Sequence, residues 1–288
     1  MIDITAIILT KNEALNISDC IKSLNSFAKR ILVVDSFSDD DTILIAKKLG
    51  AEVHTNKFVN YASQFNWALD NLEITTKWIL RIDADERFTP QLSSEIEKLV
   101  SIHDKTDING IVLDNWLYFM GKKLKYGSSR KRKLMVFKNG IGRIESRKMD
   151  EHTILSSGKT VSAKNKYLHY DYKSIDVFVK KLNWYATREM QDYFEYLETY
   201  NINKINLNDK TIQKTRFKKF KIYYKFPLFL RSLLLFIYYY YLKLGFLDGK
   251  IGFIYNYLYT RFYRLLVDIK IHEQNLFKND FVETGDLK

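Results

Sequence analysis

The chain reads as an α/β protein built on a mostly parallel sheet flanked by helices, with a helical C-terminal extension. Through the first hundred residues, short β-branched apolar runs alternate with helical periods, and that alternation predicts βαβ units. Each run also ends in a polar cluster, which is where open parallel sheets place their ligands. From about residue 216 the composition turns basic and aromatic, and this predicts the extension.

The elements follow in order. "ITAIILT" (4–10) is a buried strand ending at Lys11-Asn12-Glu13. "NISDCIKSLNSF" places Ile17, Cys20, Ile21 and Leu24 at helical spacing, with Asn16 or Ser18 as its cap. "RILVVDS" (30–36) is a second strand ending at Asp35. "DDTILIAKKLG" sets Ile43, Ile45 or Ala46, and Leu49 on one helical side and closes at Gly50. "AEVHT", "ASQFNWALDNL" and "KWILRIDAD" continue as strand, helix and strand. Past residue 108, "INGIVLDNWLYFMG" and "RKLMVFKNG" read as strands around a basic loop. Residues 174–200 read as a helix with Ile175, Phe178, Val179, Leu182 and Tyr185 on one side, and 201–215 carry no clear period.

Charge is unevenly distributed. Residues 204–270 hold fourteen Lys or Arg against three Asp, a surplus of eleven out of the chain's net +12. Cys20, the single cysteine, has no internal partner, so a reducing compartment is expected. "MIDITAIILTKNE" lacks the basic start of a secretory signal and reads as the first strand.

"WILRIDADERF" (78–88) concentrates the chemistry. Trp78, Ile79, Leu80 and Ile82 are apolar, then Asp83, Asp85 and Glu86 fall within four positions. Like charges so close repel, so a cationic partner is expected. On an extended chain Asp83 and Asp85 would point the same way, roughly 6.5 Å apart at their Cα atoms. One carboxylate would then hold a divalent ion, and the other a sugar hydroxyl or a metal-bound water. Asp-x-Asp alone is also common in solvated turns.

The surroundings of that motif sharpen the reading. "AIILTKNEALNISDCIKSL", "ILVVDSFSDDDT", the "YASQFNWAL" helix and "WILRIDADERF" together resemble the family 2 glycosyltransferases, inverting enzymes of the GT-A fold. The resemblance is strongest to the branch that builds lipopolysaccharide cores and other surface glycans. It implies an inverting hexosyltransferase that moves one sugar from a nucleotide donor, UDP-linked, to a lipid-linked or lipopolysaccharide glycan. It also implies a Mg²⁺ or Mn²⁺ cofactor. By position, Thr10, Asn12 and Glu13 would meet the nucleoside, Asp35 the uracil ring with Ser36 beside it, and Gln64 and Asn66 the donor sugar. Asp83 and Asp85 match the family's Asp-x-Asp, with Asp85 the preferred direct ligand. Turn chemistry would equally explain Thr10, Asn12 and Ser36, and a loop or cap role would explain Asp35.

Inversion needs a base opposite the leaving group. "KMDEHT" (148–153) supplies Glu151 as the implied first choice and Asp150 as the second, with His152 a possible phosphate or metal contact. His169 in "YLHYDY" is either a site residue or a packed core histidine. Arg130, Lys131, Arg132 and Lys133 stand where relatives place a cation near the diphosphate, and an exposed charged loop is expected for at least three of them. "QKTRF" (213–217) resembles the Gln-x-x-Arg-Trp of processive members, but Phe217 replaces the Trp and the match reads as coincidence. The resulting division is 1–115 for the nucleotide-sugar half, 116–203 for the acceptor half with its base loop, and 204–288 for the extension.

In the extension the longest apolar run, "LLLFIYYYYL" (233–242), is ten residues, too short to span a bilayer as a straight helix. Aromatics with Lys and Arg suit a membrane–water boundary, so peripheral binding to an anionic, cytoplasmic membrane face is expected. Packing on the core is the plainer alternative. Two other functions compete. A nucleic-acid binder would share the basic aromatic segment, but no such module is recognisable and no nucleic-acid partner is expected. A sugar nucleotidyltransferase would need a glycine-rich first loop, which "LTKNEALN" lacks.

Overall fold

The computed structural model describes residues 1–146, 151–199 and 217–277. By internal packing the chain forms two units, Met1–Lys125 with Ser129–Asp171, and Tyr126–Ser128 with Tyr172–Lys288. The segment 116–203 therefore contributes to both.

The first unit holds the sheets. β1 (Ile2–Thr10) pairs in parallel with β2 (Ala28–Asp35) on one side and β4 (Trp78–Asp83) on the other, and β3 (Glu52–Thr55) extends the parallel half beyond β2. Leu9 stands opposite Asp83, and Thr10 opposite Asp35, so three carboxyl ends finish level. Along β1, Ile4, Ala6 and Ile8 enter one core and Ile7 the other, the two-residue period of a strand. Burial on both faces explains why these runs are continuously apolar.

Helices cover those faces. α1 (Ile17–Leu24) buries the four residues that its spacing singles out, although Asn16 makes no side-chain cap bond. α2 (Thr42–Lys48) is followed by Gly50 at φ +85, a conformation that glycine reaches without strain. α3 (Tyr61–Asn71) starts at Asn60, whose side chain accepts from the Ser63 amide at 2.7 Å. α4 (Pro90–His103) was not anticipated. Its signal is present in Thr89, which caps the Leu92 amide, in Pro90 at the first turn, and in Leu92, Ile96 and Val100 one turn apart on the buried side.

Beyond β4 the direction changes. β8 (Arg132–Lys138) runs antiparallel to β4, β6 (Ile108–Phe119) antiparallel to β8, and β11 (Lys159–His169) parallel to β6. Two-residue β5 (Glu86–Arg87) forms the far edge against β11, and β7 (Lys122–Leu124) folds back on β6. A separate pair, β9 (Gly142–Ile144) and β10 (Thr153–Leu155), makes a small antiparallel sheet. The expected single strand "KWILRIDAD" is thus two. β4 ends at Asp83, the chain turns at Ala84–Asp85, and Glu86 restarts opposite His169. Because β4 and β11 are separated by β8 and β6 in the sheet, no extended chain could make both pairings.

The second unit contains α5 (Ile175–Thr199), α6 (Leu230–Ile237), α7 (Gly249–Asn256) and α8 (Tyr263–Leu276), the last three joined by tighter and wider helical turns. Its interior is unusually polar. Buried Arg231 pairs with Asp268 at 2.6 Å, and Glu189 accepts from Tyr224, Tyr263 and Arg264. Among the described residues no single helix is long and apolar enough to cross a membrane.

Asn66 pins the small sheet to α3: its Nδ2 donates to the Ile144 carbonyl at 2.8 Å and its Oδ1 accepts the Ile144 amide at 3.0 Å. Asn66→Ala would leave two backbone groups unpaired, and each partly buried orphan costs roughly 1–3 kcal/mol. A loss of about 2 kcal/mol in denaturant unfolding is expected; an unchanged midpoint would remove this role.

Candidate donor and metal site

The ends of β1 and β2 form one hydrogen-bonded cradle. Asp35 is fully buried and accepts from Thr10 Oγ1 at 2.7 Å and from Ser38 through both its amide and hydroxyl, at 2.7 and 2.6 Å. The Ser36 amide donates to the Thr10 carbonyl at 2.9 Å. Asn12 takes a left-handed φ of 55, which asparagine tolerates, donates its amide to Ser38 Oγ at 2.8 Å, and accepts the Asp39 amide on Oδ1 at 3.1 Å. The Glu13 amide donates to Thr42 Oγ1 at 2.7 Å, and its carboxylate accepts from Asn16 at 2.9 Å. Buried Gln64 joins this group, donating to Ser36 Oγ at 3.1 Å and accepting from Asn56 at 2.9 Å. Thr10, Asn12, Glu13, Asp35, Ser36 and Gln64 are therefore brought together. Asn66 is not; its amide faces β9.

The acid turn separates its three carboxylates. Asp83 accepts from Tyr61 Oη at 2.8 Å and from Lys133 Nζ at 3.0 Å, while Lys133 also donates to Glu86 at 2.8 Å. Glu86 in turn accepts the Asp83 amide at 3.0 Å. Burial pushes the Asp83 pKa up, but the Lys133 and Arg81 charges and the bonds from Tyr61 and Lys133 outweigh it and hold the carboxyl well below its usual range. Burial likewise opposes charge on Lys133, yet Asp83 and Glu86 keep its pKa raised. Arg81 completes the network, donating to Tyr61 Oη at 2.8 Å and to Thr153 Oγ1 at 3.2 Å. Asp83, the first acid of the Asp-x-Asp, lies on the Lys133 ammonium.

Asp85 joins a different group. Ligating atoms of Asp85, His169 and Asp171 all lie within 4.8 Å of one another. His169 Nε2 is 3.4 Å from Asp85 Oδ2, and Lys131 Nζ is 3.8 Å from Asp171 Oδ2. The backbone fixes the arrangement, because the Tyr170 amide donates to the Asp85 carbonyl at 2.8 Å. His169 Nδ1 is buried without a hydrogen-bond partner, a state in which imidazole is available to ligate. Two carboxylates and one imidazole suit Mn²⁺, and Mg²⁺ with water completing its shell. The set fits such an ion. Asp171 was not singled out in the sequence, although His169-x-Asp171 leaving a strand puts both side chains on one side.

The base loop is partly visible. Glu151 is partly exposed just before β10, and Asp150 lies outside the described residues. His152 ties the hairpin together, its amide donating to Glu145 Oε1 at 3.1 Å and its Nδ1 lying 2.9 Å from the same oxygen. Of the four basic residues at 130–133, Lys133 and Lys131 reach the acid groups, whereas Arg130 pairs with Asp114 at 3.0 Å and Arg132 donates to Ser162. Residues 213–216 of "QKTRF" lie outside the described residues, and Phe217 is exposed.

Lys133 is 24% exposed and Glu86 1%, so their pair is effectively interior. Lys133→Met would remove the ammonium that both carboxylates contact, and breaking one side of a buried pair costs roughly 3–5 kcal/mol. Chemical denaturation should register a loss of that size; a variant as stable as the parent would show that water solvates the acids unaided.

The family profile described as Glycosyl transferase family 2 matches residues 5–167. An uncharacterized glycosyltransferase of Rickettsia conorii is 26% identical over 98% of this chain and 96% of its own length. Another, from Rickettsia felis, is 31% identical over 66% of this chain and 69% of its own. The lipopolysaccharide core biosynthesis glycosyltransferase LpsC of Rhizobium meliloti is 27% identical over 67% of this chain and 72% of its own. Among solved structures, the mannosyltransferase PcManGT of Pyrobaculum calidifontis, in complex with GDP-Man and Mn²⁺, aligns with a TM-score of 0.52 at 14% identity. That alignment covers 96% of this chain and 88% of the other, a likeness of fold. With more than half its residues inside the family profile and the sheet to match, this chain belongs to glycosyltransferase family 2, as a sugar transferase of the GT-A fold.

Proposed function

We propose that the protein transfers one sugar from a UDP-sugar to a lipid-linked or lipopolysaccharide glycan, with inversion, using Mn²⁺ or Mg²⁺. The observation that carries the proposal is the convergence of Asp85, His169 and Asp171 near the level strand ends of β1, β2 and β4. These three would hold the ion, which when bound neutralises charge developing on the departing diphosphate. The nucleoside would lie over Thr10–Glu13 and Asp35–Ser36. Asp35 and Gln64 shape that cradle from beneath, since both are buried.

Asp83 has a positioning role in this reading. Held by Lys133 and Tyr61, it keeps an acceptor oxygen at the edge of the site for a sugar hydroxyl while Lys133 limits repulsion of the acids. Glu151 is the proposed base, taking the proton of the attacking acceptor hydroxyl, with Asp150 the alternative. The hairpin that carries Glu151 is tied to β4 through the Arg81–Thr153 bond, which couples base loop and acid turn mechanically. The residue groups 1–115 and 116–203 are proposed as the donor and acceptor halves. The setting we propose is the cytoplasmic face of an anionic membrane, with residues 204–288 supplying the contact. The surplus positive charge of 204–270 supports it, as does LpsC, a lipopolysaccharide core enzyme by its description.

Three measurements test this. In titrations followed by electron paramagnetic resonance, His169→Ala should weaken Mn²⁺ binding by at least roughly 10-fold, the usual lower effect of losing one ligand or its support; parent-like binding would exclude the triad. Glu151→Gln should lower turnover about 10²-fold or more while UDP affinity stays near the parent's. If Asp150→Asn is the impaired variant instead, the base is Asp150. A donor screen with Mn²⁺ should select UDP-sugars, and selection of GDP-sugars would overturn the base assignment.

A further inference from the structure

Part of the second unit is inside out. In α6 the buried residues are Arg231 and Ser232, whereas Leu230, Leu233, Leu234 and Ile237 are each 40–46% exposed. The pattern continues past the helix: Leu242 is 70% exposed and Leu247 53%, while Asp248 and Asn256 point inward. Each inward polar residue has a protein partner. Arg231 lies on Asp268, Asp248 accepts the Tyr126 amide at 2.9 Å, and Asn256 Oδ1 accepts the Ser128 amide at 3.1 Å while its Nδ2 donates to the Gly252 carbonyl at 2.8 Å. A helix in water does the reverse.

Shape and charge indicate what lies outside. The helical stretches Leu230–Leu242 and Gly245–Leu276 meet at a bend of 70°, about Leu244 at φ 58. Bent so sharply and so short, the first arm suits the plane of a membrane better than its normal. Between 217 and 262 the one acid in the sequence is Asp248, and it is buried, whereas Lys218, Lys225, Lys243 and Lys250 are exposed. An apolar ridge rimmed by lysines without exposed acid is complementary to acyl chains under anionic headgroups. Lys219 does not belong to that rim. It is 12% exposed and turned toward Glu189 and Asp192.

We propose that the bent hairpin 230–257 inserts in-plane into one leaflet of an anionic bilayer, with Leu233, Leu234, Ile237, Leu242 and Leu247 in the acyl region and the exposed lysines at the phosphates. This deepens the membrane setting proposed above: the hold is hydrophobic insertion, and charge only guides the approach. It makes the protein a monotopic one, whose grip survives salt.

The test uses the full chain and vesicles of phosphatidylcholine with about one third phosphatidylglycerol, a fraction typical of anionic surfaces. The parent should float with the vesicles and stay bound in about 0.5 M salt, where screening falls to a few ångström. Leu233→Ser, Leu234→Ser and Ile237→Ser combined should weaken association by roughly 10²-fold or more at every salt concentration, since three half-exposed apolar side chains lose their transfer energy. Lys218→Gln with Lys225→Gln should weaken it only at low salt. Because the triple variant could lose its fold, a second arm places an environment-sensitive fluorophore on Leu247→Cys, Cys20 being buried and unreactive. Its emission should shift blue and resist iodide quenching only with vesicles. Binding abolished by salt together with a label still open to iodide would overturn the proposal in favour of electrostatic contact. A parent that ignores vesicles, but sediments as a dimer that the triple variant dissociates, would overturn it in favour of a second copy on this face. Mn²⁺ and UDP binding should be the same in all these variants, so failure of the transferase reading would be seen separately.

Discussion

Lys133 is the charge on which the ligand end of the sheet depends. Asp83 and Glu86 stand on either side of it, and one ammonium serves both carboxylates. Two unit charges about 4 Å apart interact by roughly 4 kcal/mol even at an effective dielectric near 20, so an unneutralised acid turn would strain the strand that presents it. With Lys133 in place, Asp83 and Glu86 are settled, and the remaining acid, Asp85, is directed elsewhere. The turn at Ala84–Asp85 is the geometric expression of that division.

The same turn moves Asp85 from the centre of the sheet toward its edge. β5 carries the chain to β11, and there His169 and Asp171 arrive from more than eighty positions downstream. The candidate ion site is thus assembled at the boundary where a two-residue strand meets a long one, and it is held by the Tyr170 amide on the Asp85 carbonyl. Arg81 extends the influence of β4 further, to Thr153 beside the proposed base. The candidate donor cradle, the candidate ion ligands and the proposed base loop therefore lie at the ends of hydrogen-bonded strands. A rigid scaffold of this kind keeps the reacting groups in register.

The second unit follows a different rule. Its buried charges, Arg231 with Asp268 and Arg264 with Glu189, are matched pairs that would be costly if broken, while Leu230, Leu233, Leu234, Leu242 and Leu247 face out. Polar pairs inside and apolar residues outside are the arrangement that apolar surroundings favour. On the proposed reading this chain meets two solvents, water around the sheet and hydrocarbon against the bent segment.

The sequence by itself determined the local elements and the family. Continuous apolar runs located β1, β2 and β4, and the 3.6-residue period located α1 and α3, since burial on two faces or on one imposes its pattern directly on the residues. The order of the strand-end polar clusters carried the family resemblance, and the profile match bears it out. α4 was legible in Thr89–Pro90 and was passed over. Only the tertiary structure decided which carboxylate meets which partner. Asp83 and Asp85 form one Asp-x-Asp in sequence, but strand pairing sent one to Lys133 and the other to His169 and Asp171. Asn66 looked like a sugar contact until β9 took both ends of its amide. Lys219 belongs to the basic surplus of 204–270, but Glu189 and Asp192 take its charge. The physical reason is common to all three. Apolar burial depends on the spacing of neighbours in sequence, whereas a charge or an amide is defined by its partner, and these partners lie 27 to 86 positions away.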